Sequence, residues 1–338
     1  MKALCVQSPN NIVIEERPMP AIIPSTEVLI KVKAGGICGS DVHIYHGSSP
    51  VASYPRVIGH EIVGEIVQTG NEVKGFAAGD RVIMDPVISC GHCYQCRIGR
   101  RNVCGKLRVR SVHVDGGYQE YMVMPQENIY QLPENLSWEE AVMIEPFTIA
   151  EQVCSRAAIT KDDIVFIIGA GPVGLSILKM VKLYGATCFI SDVMDYKLDT
   201  AKQYGADVVI NAKTHDTKEE ILKLTDGNGA MVVIDAACTT KSFEQALGYV
   251  CAAGRVITLG FGAAASAISQ LSITAREIDV RGSRLHNNKF PTVIEYFRSG
   301  KLSVKDMITH RFHFTDIHDA LGVIEDPAIE NGKVVLLF

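Results

Sequence analysis

The sequence predicts an α/β protein of two domains, one built on a doubly wound parallel sheet and the other mostly of β-strands. The chain has 338 residues, which exceeds the size at which one hydrophobic core usually stops growing. Short strand-like segments broken by Gly and Pro fill residues 1–147, whereas strand and helix signals alternate after residue 162. Apolar residues make up 47% of the chain, enough to form both cores.

The first part of the chain carries short alternating or apolar segments typical of strands in a barrel-like unit, namely residues 12–14, 28–32, 62–67 and 81–84. Near the C-terminus a helix is predicted at 291–299 and a strand at 333–338. Because so late a strand often completes a sheet begun by the N-terminus, residues 1–147 and 285–338 are predicted to form one discontinuous catalytic domain. Residues 148–284 are predicted to form the other domain.

The middle of the chain has the pattern of parallel βαβ units. Residues 163–168 form a continuous apolar run suited to a strand that is buried on both faces, and 172–184 has helical spacing. Further strands are predicted at 187–191, 208–210, 231–234 and 255–259, with helices at 197–204, 218–224 and 242–250.

Composition favours a small-molecule partner. The net charge is −5 and the basic residues are scattered, so we expect neither nucleic acid nor an anionic membrane to bind. No apolar run is as long as a membrane span, and the N-terminus lacks the charged and apolar regions of a signal peptide. We therefore expect a cytoplasmic protein.

Four cysteines lie close together in one run, Cys90-Gly-His-Cys93-Tyr-Gln-Cys96 followed by Cys104. Two-residue gaps turn successive thiolates toward one point, and a fourth thiolate completes a tetrahedron with Zn–S bonds of about 2.3 Å. A disulfide is the weaker alternative, because nothing routes the chain to an oxidising compartment. His92 is expected to be a solvated loop residue. Since protein would fill all four positions, this structural zinc cannot bind substrate.

A glycine-rich turn follows the apolar strand and begins a helix, as a dinucleotide-binding site of the Rossmann type requires. Its sequence is Gly169-Ala170-Gly171-Pro172-Val173-Gly174. Gly169 makes the tight turn, Gly171 lets the backbone approach a pyrophosphate, and Gly174 permits close packing of helix on strand.

Asp192 ends the second strand of this unit, where its carboxylate can accept hydrogen bonds from ribose hydroxyls and repel a 2′-phosphate. It favours NAD over NADP, although a strand-end turn residue is the simpler alternative. Lys197 is compatible with a ribose contact or with solvent. Ala236, Gly260 and Phe261 follow later strands and are candidate wall residues for the nicotinamide half.

Cys38 and the cluster Gly59-His60-Glu61 suggest a second metal site. One thiolate, one imidazole and a carboxylate from a third segment would give a three-ligand zinc with a vacant position, as a catalytic metal requires. Taken singly, Cys38 fits core packing and His60 a strand end. Such a zinc would polarise a hydroxyl and lower its pKa, so that hydride can pass to nicotinamide.

The chain resembles the zinc-dependent medium-chain alcohol dehydrogenase family, and more narrowly its polyol and L-threonine dehydrogenase branch. Within that branch it is most similar to bacterial dehydrogenases of the starvation-sensing and L-galactonate oxidoreductase type. The resemblance spans essentially the whole length and rests on Gly36-Ile37-Cys38-Gly39-Ser40-Asp41-Val42-His43, Gly59-His60-Glu61, the four-cysteine loop, Asp115-Gly116-Gly117-Tyr118-Gln119-Glu120-Tyr121, Glu145-Pro146 and Gly169 to Gly174.

This resemblance implies a GroES-like catalytic domain, a Rossmann domain, two zinc ions per chain and NAD. It implies Cys38, His60 and Glu145 as ligands of the catalytic zinc, with Glu61 beside the metal and able to exchange with water in its coordination. Liver-type members have cysteine where this chain has Glu145, which points away from simple primary alcohols.

The hydroxyl proton of the substrate must leave the site of the catalytic zinc, and this path suggests roles for the residues near that site. Ser40 can accept it, and His43, three residues on, can pass it through ribose hydroxyls toward solvent. Asp41 is expected to orient His60 as a hydrogen-bond acceptor, or to cap a helix that starts there. Without the resemblance, His43 would be taken as an ordinary surface histidine.

The substrate is predicted to be a polyol or sugar acid oxidised at a secondary hydroxyl. Arg284 could bind a substrate carboxylate, but an interdomain salt bridge and a cofactor-phosphate contact are together the favoured alternatives. Threonine or general secondary-alcohol oxidation remains an alternative, as does an inactive regulatory protein of the same fold. The resemblance suggests a homodimer or homotetramer, with the sheet edges near Ile257 and at 273–280 as the contact.

Overall fold

The computed structural model describes residues 1–20 and 25–338. Its strands, in chain order, are β1 (Lys2–Ser8), β2 (Asn11–Glu16), β3 (Glu27–Gly36), β4 (Arg56–Val57), β5 (Glu61–Thr69), β6 (Arg81–Met84), β7 (Val87–Ile88), β8 (Arg108–Val109), β9 (Tyr121–Pro125), β10 (Ile129–Gln131), β11 (Ile164–Ile168), β12 (Thr187–Asp192), β13 (Val208–Asn211), β14 (Ala230–Asp235), β15 (Val250–Thr258), β16 (Asp279–Gly282), β17 (Ile308–His313) and β18 (Lys333–Leu337).

The helices are α1 (Gly39–Tyr45), α2 (Tyr94–Arg97), α3 (Trp138–Val142), α4 (Ile144–Ala157), α5 (Pro172–Leu183), α6 (Asp195–Gln203), α7 (Thr217–Leu224), α8 (Thr240–Tyr249), α9 (Gln270–Thr274), α10 (Phe290–Arg298) and α11 (Ile317–Glu325). Side-chain caps fix several starts. Ser137 accepts from the backbone N–H of Glu140 before α3, and Asp216 does the same for Lys218 and Glu219 at α7. None of the helices in the described ranges is long and apolar enough to cross a bilayer.

The chain divides into two compact units, Met1–Glu145 with Phe290–Phe338, and Pro146–Lys289. The first unit is mostly β. Its larger sheet has the order β10-β6-β5-β3-β18-β17 with β9 also on β3, and a smaller sheet has the order β2-β1-β4. The C-terminal strand β18 pairs antiparallel with β3, so that residues far apart in sequence meet near Gly36. This is the GroES-like unit expected from the sequence.

The second unit is a doubly wound parallel sheet with the order β13-β12-β11-β14-β15-β16, which confirms the predicted Rossmann fold. The apolar run of β11 is buried, as expected for a central parallel strand. The strand order reverses between β11 and β14, and ligands of such sheets bind outside the carboxyl ends of the strands at that point.

The expectation that Ile257 lies at a sheet edge is wrong. Ile257 belongs to β15, which pairs with β14 on one side and β16 on the other, and its side chain is fully buried. The edge strand is β16, whose residues are largely exposed. The apolar run at 256–257 indicated a strand but not its position in the sheet, which depends on a pairing that hydropathy does not encode.

Candidate metal centres and dinucleotide site

The four clustered cysteines converge on one point. Sγ–Sγ distances are 3.5 Å for Cys93–Cys96, 3.7 Å for Cys93–Cys104 and 3.5 Å for Cys90–Cys104. A tetrahedron with 2.3 Å metal–sulfur bonds places its sulfurs about 3.8 Å apart, whereas a disulfide needs about 2.05 Å. The arrangement therefore fits a four-thiolate zinc. Backbone N–H groups of Cys96 and then Gly105 lower the pKa of Cys93 to about 6, which favours the ligating thiolate.

A buried ion pair anchors the cysteine loop to the β-unit. The Arg101 guanidinium donates to Asp85 Oδ2 at 3.1 Å and to the Val87 carbonyl at 2.6 Å. Asn128 Nδ2 donates to the carbonyls of the same two residues, at 3.2 and 2.9 Å. The loop is thus held on its N-terminal side by side chains as well as by its cysteines.

The second cluster joins Cys38, His60 and Glu61, whose ligand atoms all lie within 4.8 Å of one another. Cys38 immediately precedes α1, and Glu61 begins β5 where that strand pairs with the end of β3. A thiol, an imidazole and a carboxyl group in one largely buried place fit a divalent transition metal.

The buried carboxylate of Asp41 contacts several residues of this cluster. Its carboxylate accepts from the backbone N–H of Cys38 at 3.1 Å and of Gly59 at 3.2 Å, and from the Tyr118 hydroxyl at 3.3 Å. Its Oδ1 lies 3.5 Å from His60 Nδ1. Burial lowers the pKa of His60, but the negative charge of Asp41 more than compensates and raises it well above the usual value. One carboxylate therefore fixes the backbone beside two candidate ligands.

Tyr118 helps to hold the Asp41 carboxylate in place. Its buried hydroxyl also donates to the Gly36 carbonyl at 2.6 Å. A Cβ on Gly59 would lie 2.1 Å from the Tyr118 ring, and Gly59 has φ +91°. Glycine is needed there for both space and backbone conformation.

Ser111 is a contact that sequence reasoning missed. Its Oγ lies 3.2 Å from His60 Nδ1, closer than Asp41, so the opposite ring nitrogen is left to face the cluster. Ser111 is fully buried and has φ +75°, an uncommon conformation for a non-glycine residue. A lone serine in a loop carries no sequence signal that would have identified it.

Lys333 was also missed. Its ammonium forms a buried ion pair with Glu61 Oε2, and only 5% and 2% of the two side chains are exposed. Burial would lower the pKa of Lys333, but the negative charges of Glu61, Cys38 and Glu145 raise it above its usual value. A lysine in a terminal β-strand indicates an edge or surface position, so its burial could not be anticipated.

Glu145 lies in the first turn of α4 and is buried. The cluster within 4.8 Å consists of Cys38, His60 and Glu61, and Glu145 is close enough for its charge to act on Lys333.

Ser40 and His43 lie three residues apart on α1 and are exposed. His43 Nδ1 is 2.9 Å from Ser48 Oγ.

The glycine-rich turn lies where the sequence placed it, between β11 and α5. Gly169 has φ +99°, and a Cβ on Gly174 would lie 1.9 Å from the Gly169 carbonyl oxygen. Gly171 precedes Pro172 at the start of α5, and a Cβ added there would meet open space, while Val173 is partly exposed. Gly174 therefore serves packing, and Gly171 leaves room for a ligand.

Asp192 folds its carboxylate back onto this turn. Oδ2 accepts from the Ala170 N–H at 2.8 Å, and Oδ1 accepts from Val193 at 2.7 Å and Met194 at 3.0 Å. Lys197 lies two residues into α6, with its ammonium 5.8 Å from the Tyr196 ring centroid. Both side chains thus lie at the carboxyl end of β12.

The other predicted wall residues follow the later strands of the same sheet. The Ala236 N–H donates to the Ile168 carbonyl at 3.0 Å, beside the glycine turn. Gly260 and the exposed Phe261 follow β15, and Cζ of Arg284 lies over the Phe261 ring, 4.6 Å from its centroid. A cavity of about 230 Å³ at this edge is lined by Ile168, Ser191, Ala212, His215, Gln245 and Tyr249 among others.

Two family models match the chain. One, for the alcohol dehydrogenase GroES-like domain, covers residues 24–134, and the other, for zinc-binding dehydrogenases, covers residues 172–299. The starvation-sensing protein RspB of Escherichia coli K12 is 42% identical over 341 residues, which is 100% of this chain and 99% of the relative. Sorbitol dehydrogenase of Bacillus subtilis is 34% identical over 95% of this chain and 92% of its own length.

Solved structures agree with these matches. The crystal structure of RspB from E. coli CFT073 complexed with NADH superimposes with a TM-score of 0.95 at 41% identity, and covers 100% of this chain and 99% of that one. Both the sequence and the architecture are therefore shared along the entire chain.

Proposed function

Because the chain belongs to the zinc-type medium-chain alcohol dehydrogenase family, we propose that it oxidises a secondary hydroxyl of a polyol or sugar acid and reduces NAD. The observation that carries the proposal is the partly buried cluster of Cys38, His60 and Glu61, whose ligand atoms lie within 4.8 Å of one another. Bound zinc supplies Lewis-acid polarisation of a hydroxyl, and bound nicotinamide supplies the hydride acceptor.

Cys38, His60 and Glu145 are proposed to hold the catalytic zinc, and Cys90, Cys93, Cys96 and Cys104 the structural one. Glu61 lies beside the catalytic site. Asp41 and Ser111 both contact the Nδ1 side of His60 and so orient the ring with Nε2 toward the metal. This orientation comes from two independent segments, which restricts rotation of the imidazole.

Ser40 and His43 are proposed to carry the substrate proton outward. They lie on the exposed face of α1, whereas Asp41 and Ile44 of the same helix face the interior. Ser40 accepts the hydroxyl proton and His43 passes it on toward solvent. The 2.9 Å contact between His43 and Ser48 holds the ring at that face.

The glycine turn is proposed to bind the pyrophosphate through Gly169, Gly171, Pro172, Val173 and Gly174. Asp192, whose carboxylate accepts from the Ala170 N–H, is proposed to accept from the ribose hydroxyls as well and to favour NAD, since it would repel a 2′-phosphate. Lys197, Ala236, Gly260 and Phe261 complete the proposed wall. A zinc-binding dehydrogenase of Sinorhizobium meliloti, 31% identical, binds NADP, so NADP must be assayed beside NAD.

Two glycine variants are expected to separate packing from ligand contact. Gly174→Ala should lower the melting temperature of the chain without cofactor, because its Cβ would lie 1.9 Å from the Gly169 carbonyl. Gly171→Ala has open space and should leave that temperature within about 1 °C, while weakening NADH binding about tenfold or more. Thermal melts with and without NADH measure both effects. Equal melting temperatures for the two variants would contradict the assignment.

The substrate class is tested by NADH formation with purified enzyme on hexitols, aldonates, threonine and primary alcohols. The polyol and sugar-acid assignment is supported by relatives named sorbitol dehydrogenase, L-idonate 5-dehydrogenase and L-galactonate-5-dehydrogenase. We expect the highest kcat/KM on an aldonate or hexitol. Faster turnover of primary alcohols would refute the assignment, and a threonine maximum would favour the L-threonine 3-dehydrogenase alternative. Absence of turnover on the whole panel would favour an inactive regulatory protein.

Arg284 is proposed to contact an anion, either the substrate carboxylate or a cofactor phosphate. Its guanidinium lies over the Phe261 ring, which follows β15 at the edge of the sheet where the cofactor is proposed to bind. A homodimer or homotetramer is proposed for the assembly, with the exposed edge strand β16 as the contact.

A further inference from the structure

The buried ion pair between Lys333 and Glu61 is a charged interaction whose purpose the proposed reaction leaves open. The two side chains come from opposite ends of the chain, since Lys333 begins β18 and Glu61 begins β5. Both are almost completely buried. Removing two charges from water costs several kcal/mol for each ion, so such a pair is weak evidence of a purely stabilising role.

Space for this pair depends on Gly36. A Cβ at that position would lie 2.0 Å from Glu61 Oε2, 2.7 Å from Lys333 Cε and 2.7 Å from Val142 Cγ1. The φ of Gly36 is not in the left-handed region, so the backbone alone does not require glycine. Glycine is needed there to let the carboxylate and the ammonium meet.

The same carboxylate lies within reach of the metal cluster. A Glu61 oxygen is within 4.8 Å of the ligand atoms of Cys38 and His60, while Oε2 pairs with Lys333. The carboxylate therefore lies between two cationic partners, the ammonium and the metal that the cluster fits. These partners compete for one negative charge.

Resting on the metal site proposed above, we propose that Lys333 is a positioning residue that holds Glu61 away from the metal and so keeps a coordination position open for substrate. Lys333 lies in the field of the negative charges of Glu61, Cys38 and Glu145, and its ammonium is a cation with which Glu61 can pair in place of the metal. Without the ammonium, Glu61 would be a buried carboxylate whose remaining cationic partner is the metal.

The test uses the full-length enzyme with cobalt(II) in place of zinc, because the visible spectrum of cobalt reports coordination number. Lys333→Met should shift the spectrum toward the weaker absorption of a higher coordination number. It should also slow cobalt release to a chelator about tenfold and weaken binding of imidazole, a probe of the open position, about tenfold. Lys333→Arg should resemble the wild type, since it keeps the cation.

Glu61→Gln completes the comparison. It leaves Lys333 as an unpaired buried cation, so cobalt release should become faster than in the wild type. The double variant Glu61→Gln/Lys333→Met buries neither charge, and its spectrum and release rate should return close to wild type. This variant also keeps the test decisive if Lys333→Met alone does not fold.

Lys33→Met is the matched control. Lys33 pairs with Glu65 at 3.4 Å on strands β3 and β5, but both side chains are partly exposed and outside the metal cluster. Lys33→Met should change neither the cobalt spectrum, nor the rate of cobalt release, nor the affinity for imidazole.

Two failures are distinguishable. If wild-type protein binds cobalt only at the four cysteines, the proposed catalytic metal site and the proposed role of Lys333 are both refuted. If cobalt binds the second site and Lys333→Met has the wild-type spectrum, release rate and imidazole affinity, the role of Lys333 alone is refuted. Faster cobalt release from Lys333→Met would refute it as well.

Discussion

Cys38→Ser is expected to lower turnover by about 10³-fold or more while the chain stays folded and binds NADH normally. The Lewis-acid contribution of a catalytic metal is several kcal/mol, and each 1.36 kcal/mol is tenfold in rate. The side chain lies in the Cys38, His60 and Glu61 cluster, whereas the glycine turn belongs to the other compact unit. Steady-state kinetics, NADH fluorescence titration and circular dichroism measure the three properties.

Cys251→Ser provides the control for this change. Cys251 is a partly buried cysteine at the start of β15, remote in sequence from both metal clusters, and its replacement should leave kcat unchanged. If Cys38→Ser does not fold, the metal at Cys38 is the structural one, and the catalytic and structural roles have been assigned to the wrong sites. Retention of more than a tenth of the turnover would remove Cys38 from the catalytic site.

Cys104→Ser is expected to destabilise the chain before it affects chemistry. Cys104 is buried, its sulfur lies within 3.7 Å of those of Cys90 and Cys93, and the backbone N–H of Cys90 and of Lys106 donate to it. Loss of a structural metal is among the largest destabilisations, on the order of 4 kcal/mol or more. At roughly 2–4 °C per kcal/mol, the melting temperature should fall by about 8–16 °C.

The surviving folded fraction of Cys104→Ser should retain near-normal KM values at low temperature, because the four-cysteine site has no open position. Calorimetry gives the stability, and assays at about 10 °C give the kinetics. A full loss of turnover in protein that melts like the wild type would contradict a structural role for this loop.

The sequence identified the fold because its strongest signals are local. The apolar run of β11, the glycine turn and the alternation that follows each occupy one contiguous stretch, and together they predict a doubly wound sheet with a dinucleotide site. The cysteine loop is equally compact, and its spacing alone determined which thiols would meet. The four cysteines and the glycine turn each lie within one short stretch, although the sheet partners of β11 are more distant in sequence.

The contacts that were missed are between distant segments. Lys333 reaches Glu61 only because β18 pairs with β3, and Ser111 reaches His60 only through the loop after β8. Neither residue type at its position suggests a metal site. The placement of Ile257 failed for a related reason, since strand order depends on packing between helices rather than on the hydropathy of one strand.

The central claim is that one chain holds two zinc ions with separate roles, and its zinc content tests this most directly. Metal analysis of folded wild-type protein purified in the presence of zinc, without chelators, should give two zinc ions per chain, one at the four cysteines and one at Cys38 and His60. A value of one zinc per chain in a folded, NADH-binding protein would contradict the account.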